Sequence, residues 1–565
     1  MAGLLRRFHT GRIDTPVAQS ASAPTLRQIL IPLAAAQFLA SYDSSSMNVA
    51  ISNIVEDLDT TVTGVQTAIS LFTLTMAALM IPGSKLTDIW GRKPCFIMGL
   101  VVYGTGALIT SLAPALAAML IGFSLLEGIG SALMIPPIYI LVTLLVPDGK
   151  DRVKAFGVVS AMAAVGAATG PLLGGLITTT ITWRASFAGE VVAIAGILYM
   201  SKHIPDIPVP EPKPKFDLLG TVLSAGGLVL IVLGLLQAGA YGWLQARKDF
   251  SIGDTVLLEQ GQISPVVVLI FLGLVFLGLF FVHIRRAEKK GREPLLPTRL
   301  FRKSMTNLGL ITQNSQWFIM IGTSFVISVF FQVSRGYSAI ETGVLLTPAT
   351  GGVLLSSWRI EKMTKRFSQR AIIRAGFAIA SAGILFILLF CDSTSNVLLF
   401  VPGLLLIGFG AGSMLTASVN VVQSSVPEED QGSLSGLSRS VSNLGSSMGT
   451  AVAGAVLISA LISGVSDRAN ASTVLSDDEK GQVSIALQGN VSAVSDQQLE
   501  EQLAGQPQDY VDEVVRINRE ARDRALGLAL LTVMLFGLVG FAAAMFMPPQ
   551  EPAAADAGEV APAPG

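Results

Sequence analysis

Fourteen segments of this 565-residue chain are apolar over about the length that crosses a lipid bilayer, and no other sequence feature constrains its fold as tightly. A helix rises about 1.5 Å per residue, so about 20 apolar residues cover the hydrocarbon. The segments are 29–53, 64–82, 95–113, 115–145, 155–178, 185–202, 217–238, 264–284, 305–332, 341–358, 372–390, 396–421, 433–463 and 525–547. The fourth and thirteenth exceed the bilayer and must tilt or protrude. Composition agrees: 51% of residues are hydrophobic and 14% charged, where a soluble domain carries roughly a quarter charged residues. A formal net charge of −1 argues against a nucleic-acid binder, which would carry a basic surplus.

Basic residues fix the expected orientation, because Lys and Arg are retained on the cytoplasmic side of short loops. They gather in alternate connections: Lys85, Arg92 and Lys93; Lys150, Arg152 and Lys154; Lys213 and Lys215. The cluster Arg285, Arg286, Lys289, Lys290, Arg292, Arg299, Arg302 and Lys303 follows, and then Arg359, Lys362, Lys365, Arg366 and Arg370. The short opposite loops carry Arg184, Arg335 and the Arg247–Lys248 pair. This pattern predicts an inner-membrane protein with both termini cytoplasmic. Residues 464–524 form the one long external piece, with 509–524 helical and continuing into the last span. The first 27 residues lack a cleavable signal pattern, so the first span is expected to serve as its own signal. Cys95 and Cys391 fall on opposite faces, and no disulfide between them is expected.

An internal repeat is legible. Gly128-Ile-Gly130-Ser-Ala-Leu-Met134 matches Gly408-Phe-Gly410-Ala-Gly-Ser-Met414 at an offset of 280 (408 − 128), and Val146-Pro147 matches Val426-Pro427 at the same offset. Gly157, Gly166, Gly170 and Gly175 match Gly436, Gly445, Gly449 and Gly454 at 279 (436 − 157). Many transporters are built from two such similar halves. The expected organisation is a cytoplasmic tail (1–28), an N-terminal six-helix half (29–202) and a linker with two inserted transmembrane helices (203–304). A C-terminal six-helix half (305–547) includes the external segment 464–524, and a disordered cytoplasmic tail (548–565) ends the chain.

Ionisable side chains inside membrane spans are costly and therefore count as functional candidates. Three carboxylates qualify, in the order Asp43, Glu127 and Glu190. Burial favours the neutral form of a carboxyl group, which suits it to load and release a proton. The histidines, His9, His203 and His283, fall in the tail or at span ends, so proton coupling must rest on the carboxylates. Gly166, Gly170 and Gly174 lie four apart on one helix face and read as a packed interface, with Pro171 and Gly175 beside them. In the second half Thr312, Gln313, Asn314, Gln316 and Trp317 form a polar strip suited to line a substrate cavity, with Asn420 and Gln423 as further candidates. Such amides can equally bind helix to helix. No Gly-x4-Gly-Lys-[Ser/Thr] loop, metal-ligand spacing or nucleophile elbow is present, so neither a nucleotide, a cofactor nor an enzymatic activity is expected.

Several of these stretches resemble a known family. Gly83-Ser-Lys-Leu-Thr-Asp88-Ile-Trp-Gly91-Arg92-Lys93 resembles the loop signature of the major facilitator superfamily between its second and third helices. Gly166-Ala-Ala-Thr-Gly170-Pro171-Leu-Leu-Gly174-Gly175 resembles the fifth-helix motif of its antiporters. Asp43 with Asn48-Val49-Ala50, and Gln332-Val-Ser-Arg-Gly336-Tyr337-Ser338 running on to Thr342-Gly343 and Pro348, resemble the fourteen-span drug:proton antiporter branch. The resemblance implies an all-α polytopic fold of two six-helix halves plus two inserted helices, 14 transmembrane helices in all. It implies alternating access, a gating role for Asp88 and Arg92, and Asn48 as a further cavity candidate. The chain departs from the family in the fourth helix, where Ser124 stands at the usual arginine position and Glu127 at the usual glutamine. Glu127 is then either a second protonation site or a contact for a cationic substrate.

The sequence thus predicts a monomeric multidrug-type transporter that exports small amphipathic molecules against protons, with small-molecule substrate, protons and membrane lipid as partners. A lipid or lipid-like metabolite exporter not strictly coupled to protons is the alternative within transport. A membrane receptor or scaffold acting through residues 464–524 is the alternative from another class.

Overall fold

A computed structural model describes residues 25–146, 150–207, 209, 215–252, 255–426, 431–476, 479–481 and 496–548. Most of the expected N-terminal tail, the tail from 549, the middle of the external segment and the sites of Pro147, Lys213 and Pro427 lie outside the described residues. Among the described residues there are fourteen long helices: α1 (Leu26–Ser46), α2 (Val62–Trp90), α3 (Arg92–Ser111), α4 (Leu116–Leu145), α5 (Lys150–Thr180), α6 (Trp183–Ser201) and α7 (Leu218–Tyr241). They continue with α8 (Pro265–Lys289), α9 (Ser304–Ser334), α10 (Ala339–Arg366), α11 (Gln369–Phe390), α12 (Val397–Gln423), α13 (Gln431–Ala471) and α14 (Gln508–Phe546). Twelve of these are long and apolar enough to cross a membrane. The other two, α1 and α6, hold Asp43 and Glu190. Apolarity alone therefore counts twelve spans where fourteen are expected, and it misses α1 and α6.

Helix ends follow local chemistry. Thr61, Asp217, Ser264 and Ser368 each accept a hydrogen bond from a first-turn backbone N–H of α2, α7, α8 and α11, and Ser338 and Glu341 form a reciprocal cap on α10. Gly91, at φ 100°, makes the sharp turn from α2 to α3, a backbone conformation that side chains disfavour. The connection between α7 and α8 adds an antiparallel strand pair, Phe250–Ile252 with Thr255–Leu258, to an otherwise helical chain that was expected to hold only a loop there.

The two halves pack alike. In the first, α1 packs on α5, α2 on α4, α3 on α4 and α3 on α6; in the second, α9 packs on α13, α10 on α12, α11 on α12 and α11 on α14. The repeated glycines sit at matching contacts. Gly130 lets α4 approach Gly99 and Tyr103 of α3, as Gly410 lets α12 approach Gly376 and Ala380 of α11. Gly128 meets Thr75 of α2, and Gly408 meets Ala349 of α10. Gly166 meets Phe38 of α1, and Gly445 meets Asn314 of α9. In each case a β-carbon would collide with the facing helix, so glycine sets the interhelical distance.

The halves meet along α2–α13 and α5–α10, and the inserted pair α7–α8 packs on itself with α7 against α13 and α2. α13 and α14 continue past the bundle as a helical hairpin with its own core, including Val465, Ala469, Leu499, Val514, Ile517 and Ala521. The helix expected over 509–524 is there and runs without a break into the last apolar segment.

Candidate functional site

Four helices of the first half converge on three carboxylates. Asp43 lies near the end of α1, Glu190 in the third turn of α6, and Glu127 closes a π-helical stretch of α4 (Leu120–Glu127). Such a stretch rotates the helix face and recurs at functional sites. Gly106 of α3 makes the room: a β-carbon there would stand 2.8 Å from Glu127 Cγ and 2.6 Å from the Gly122 carbonyl oxygen. Asp43 and Glu127 are fully buried and Glu190 is 2% exposed.

One oxygen from each carboxylate lies within 4.8 Å of the other two. Tyr103 of α3 joins them, its hydroxyl donating to Asp43 Oδ2 at 2.9 Å and reaching Glu190 Oε2 at 3.4 Å. Thr110 Oγ1 donates to Glu127 Oε1 at 3.3 Å. Asp43 Oδ1, Glu127 Oε2 and Glu190 Oε1 have no hydrogen-bond partner. No ion pair among the described residues involves any of the three. Ser124, at the position where the resembled family carries arginine, donates to the Ala68 carbonyl oxygen at 2.8 Å. Two unit charges about 5 Å apart repel by about 3 kcal/mol even at an effective dielectric of about 20. The trio therefore needs positive charge among its oxygens, and a shared proton would satisfy two of the unpartnered atoms at once.

The glycines of α5 tie this cluster to the other half. Gly166, Gly170 and Gly174 press on Phe38, Ser45 and Ser46 of α1, on either side of Asp43. Gly175 would place a β-carbon 2.6 Å from the Ala339 carbonyl oxygen of α10, and Pro171 meets Gly343. At the same end of the molecule Gln332, in a π-helical stretch closing α9, grips the segment after α1. Its amide nitrogen donates to the Asn48 carbonyl oxygen at 2.8 Å, and its oxygen accepts from Ser52 N at 3.0 Å. Thr179 Oγ1 accepts from Ile340 N at 3.1 Å, and Gln66 donates to the Thr450 carbonyl oxygen at 3.1 Å. The halves are thus closed against each other at the end that holds Asn48.

The other sequence candidates are dispersed. Asp88 pairs with Arg92 at 3.3 Å, Lys93 lies 4.0 Å from Asp206, and Gly83 packs on Ala132 of α4, all at the opposite end from Asn48. Asn314 donates to the Val441 carbonyl oxygen at 3.1 Å and Gln316 to that of Ala411 at 3.5 Å, both contacts between helices of the second half. Trp317 is half-buried, and Asn420 is exposed near the end of α12. The Asn48 side chain is buried with both amide atoms unpartnered. Tyr103, Thr110 and Gln66 were not anticipated; Gly99, Tyr103, Gly106 and Thr110 recur every three or four residues, a polar and small stripe that could have flagged α3.

A model of the Major Facilitator Superfamily matches residues 33–450. The chain is 27% identical over 420 residues to the multidrug resistance protein Stp of Mycobacterium tuberculosis, covering 74% of each. It is 27% identical over 435 residues to the tetracenomycin C resistance and export protein of Streptomyces glaucescens (76% of each), and 28% identical over 437 residues to the cephamycin export protein CmcT of Amycolatopsis lactamdurans (77% of this chain, 85% of the relative). Among solved structures, an inward-facing bacterial homologue of the human lysosomal transporter Spinster superposes with a TM-score of 0.56 at 15% identity, covering 92% of this chain and 98% of that one. The POT family transporter PepTSo gives 0.55 at 14%, covering 93% and 99%. These likenesses bear on the fold.

Proposed function

The chain belongs to the Major Facilitator Superfamily, a family of multi-pass membrane transporters of small molecules and not of enzymes, and from that premise we propose that it exports amphipathic, drug-like compounds in exchange for protons. The observation that carries this reading is the buried trio Asp43, Glu127 and Glu190, with three unpartnered oxygens and no basic partner among the described residues. The relatives whose names include drug resistance or export support the substrate class.

In this reading the trio carries the protons and Tyr103 relays between Asp43 and Glu190. Proton arrival changes the charge beside α1, and the α5 glycines transmit the resulting movement of α1 to α10. The substrate binds between the halves, where Asn48, buried with both amide atoms unpartnered, is the candidate contact. The Asp88–Arg92 pair latches the opposite end when the halves exchange access. The protein works as a monomer in the inner membrane with both termini in the cytoplasm, as its basic loops support. The 280-residue repeat and the matched glycine contacts support a division into halves at 29–202 and 305–547, with α7 and α8 inserted between them.

The test is reconstitution in liposomes with a trapped pH dye and a panel of cationic and neutral amphiphiles. Wild type is expected to move protons in response to substrate, and Asp43→Asn to lose that response. Substrate movement indifferent to an imposed pH gradient would overturn proton coupling and favour an uncoupled exporter.

A further inference from the structure

The inserted helix pair carries a feature that transport does not use. Where α8 ends, a cavity of about 340 Å³ is lined by Arg285, Glu288, Lys289, Thr298, Phe301 and Arg302. Arg285 and Lys289 stand one turn apart on α8, and the 3-10 turn Thr298–Arg302 folds back beside them. Both oxygens of Glu288 are already used: Oε1 accepts from Thr298 N at 2.6 Å and Oε2 from the Thr298 hydroxyl. Arg285, Lys289 and Arg302 pair with nothing among the described residues. The helix dipole accounts for a cation in the last turn of α8. It does not account for Arg302, which comes from a separate turn.

Depth identifies the occupant. The apolar run of α8 spans Pro265 to Ile284, about 30 Å of helix, and Arg285 follows it directly. The cations therefore stand at the level of lipid headgroups. The wall below them is apolar and open to the side: Leu279, Phe281 and Val282 of α8 are exposed, as are Leu218, Leu219 and Val222 of α7. Phe301 stacks edge-on against Phe281 at 5.3 Å, so the cavity floor is continuous with this wall. A soluble anion would use the cations and leave the wall bare; a phospholipid uses both. We propose that this cavity is a binding site for an anionic phospholipid, its phosphate held by Arg285, Lys289 and Arg302 and its acyl chains laid along α7 and α8.

Native mass spectrometry of the full-length protein with added phosphatidylglycerol, phosphatidylcholine or inorganic phosphate tests this. Phosphatidylglycerol is expected to stay bound where phosphatidylcholine does not, and millimolar phosphate is expected not to displace it. Each of Arg285→Gln, Lys289→Gln and Arg302→Gln should weaken retention about fivefold, and the triple variant should abolish it. Arg247→Gln with Lys248→Gln, at the other end of the inserted pair, should leave retention unchanged. The single variants decide the matter if the triple variant does not fold. Undiminished phosphatidylglycerol retention in the variants overturns the proposal, as does displacement by phosphate, which would make a soluble phosphate compound the ligand. A protein inactive in transport would still give this readout, so the two proposals fail separately.

Discussion

Tyr103 is the residue on which the carboxylate cluster turns. One hydroxyl spans two acids on different helices, 2.9 Å from Asp43 and 3.4 Å from Glu190. Removing a buried hydrogen-bond partner leaves the other group unsatisfied at a cost of about 1–3 kcal/mol. Tyr103→Phe keeps the ring, which is fully buried and part of the hydrophobic core, so the fold should persist. Substrate-driven proton flux in liposomes is expected to fall about tenfold in this variant, with substrate affinity little changed. Unaltered flux would remove Tyr103 from the proton path and leave it a packing residue. Thr110 holds one oxygen of Glu127 and Gly106 makes its berth, so the site depends on small and weakly polar residues as much as on its acids.

Among the elements, α5 is the strut. It presses on α1 through Gly166, Gly170 and Gly174, and in the same stretch touches α10 through Pro171 and Gly175. A β-carbon at Gly170 would collide first with Ser45 Oγ and then stand 2.9 Å from the Tyr42 carbonyl oxygen. The first obstacle is a side chain and can be removed; the second is backbone and cannot. Gly170→Ala is expected to lower stability by about 1–3 kcal/mol, read as a drop in Tm, and Ser45→Ala in the same chain should recover part of it. No recovery would mean that α1 and α5 adjust by moving apart. The hairpin beyond the bundle is a separate unit, tied down where Asp523 accepts from Ser393 N and Oγ at 2.9 and 2.8 Å. Its core and ion pairs, Arg468 and Arg516 with Glu520, stabilise a rigid extension of α13 and α14. With family membership established, the receptor reading of this segment has nothing specific to support it.

For the whole molecule, the closed end is the feature with the clearest consequence. Gln332 reaches across the halves to Asn48 and Ser52, five and nine positions beyond Asp43 (48 − 43 and 52 − 43). Opening that end must break these bonds, and the clasp sits on the segment that follows directly from α1 and its acid. Ser52→Cys with Gln332→Cys, in a chain with Cys95 and Cys391 replaced by Ser, should be linked by a short bis-methanethiosulfonate reagent that spans the length of the lost Gln332 side chain, because Ser52 Oγ and Gln332 Oε1 stand 3.2 Å apart across the halves. Transport is expected to stop when the link forms and to return with a reducing agent. Continued transport with the link intact would show that this end does not need to open.

The fourteen apolar segments, the alternation of basic loops, the repeat and the candidate acids can all be read along the chain, because each is written in one stretch of it. Helical periodicity says which residues share a face, and glycines at spacing four say that a face packs closely. It does not say what lies opposite. That Asp43, Glu127 and Glu190 meet, from segments 84 and 63 residues apart (127 − 43 and 190 − 127), was decided by the packing of α1, α3, α4 and α6. The same holds for Tyr103, whose hydroxyl has meaning only beside two acids from other helices. The amides of Asn314 and Gln316 look alike in sequence to a cavity lining, yet tertiary structure gave them backbone carbonyls on α13 and α12. A buried polar group must find a partner, and only the folded bundle says whether that partner is a neighbour, a proton or a ligand.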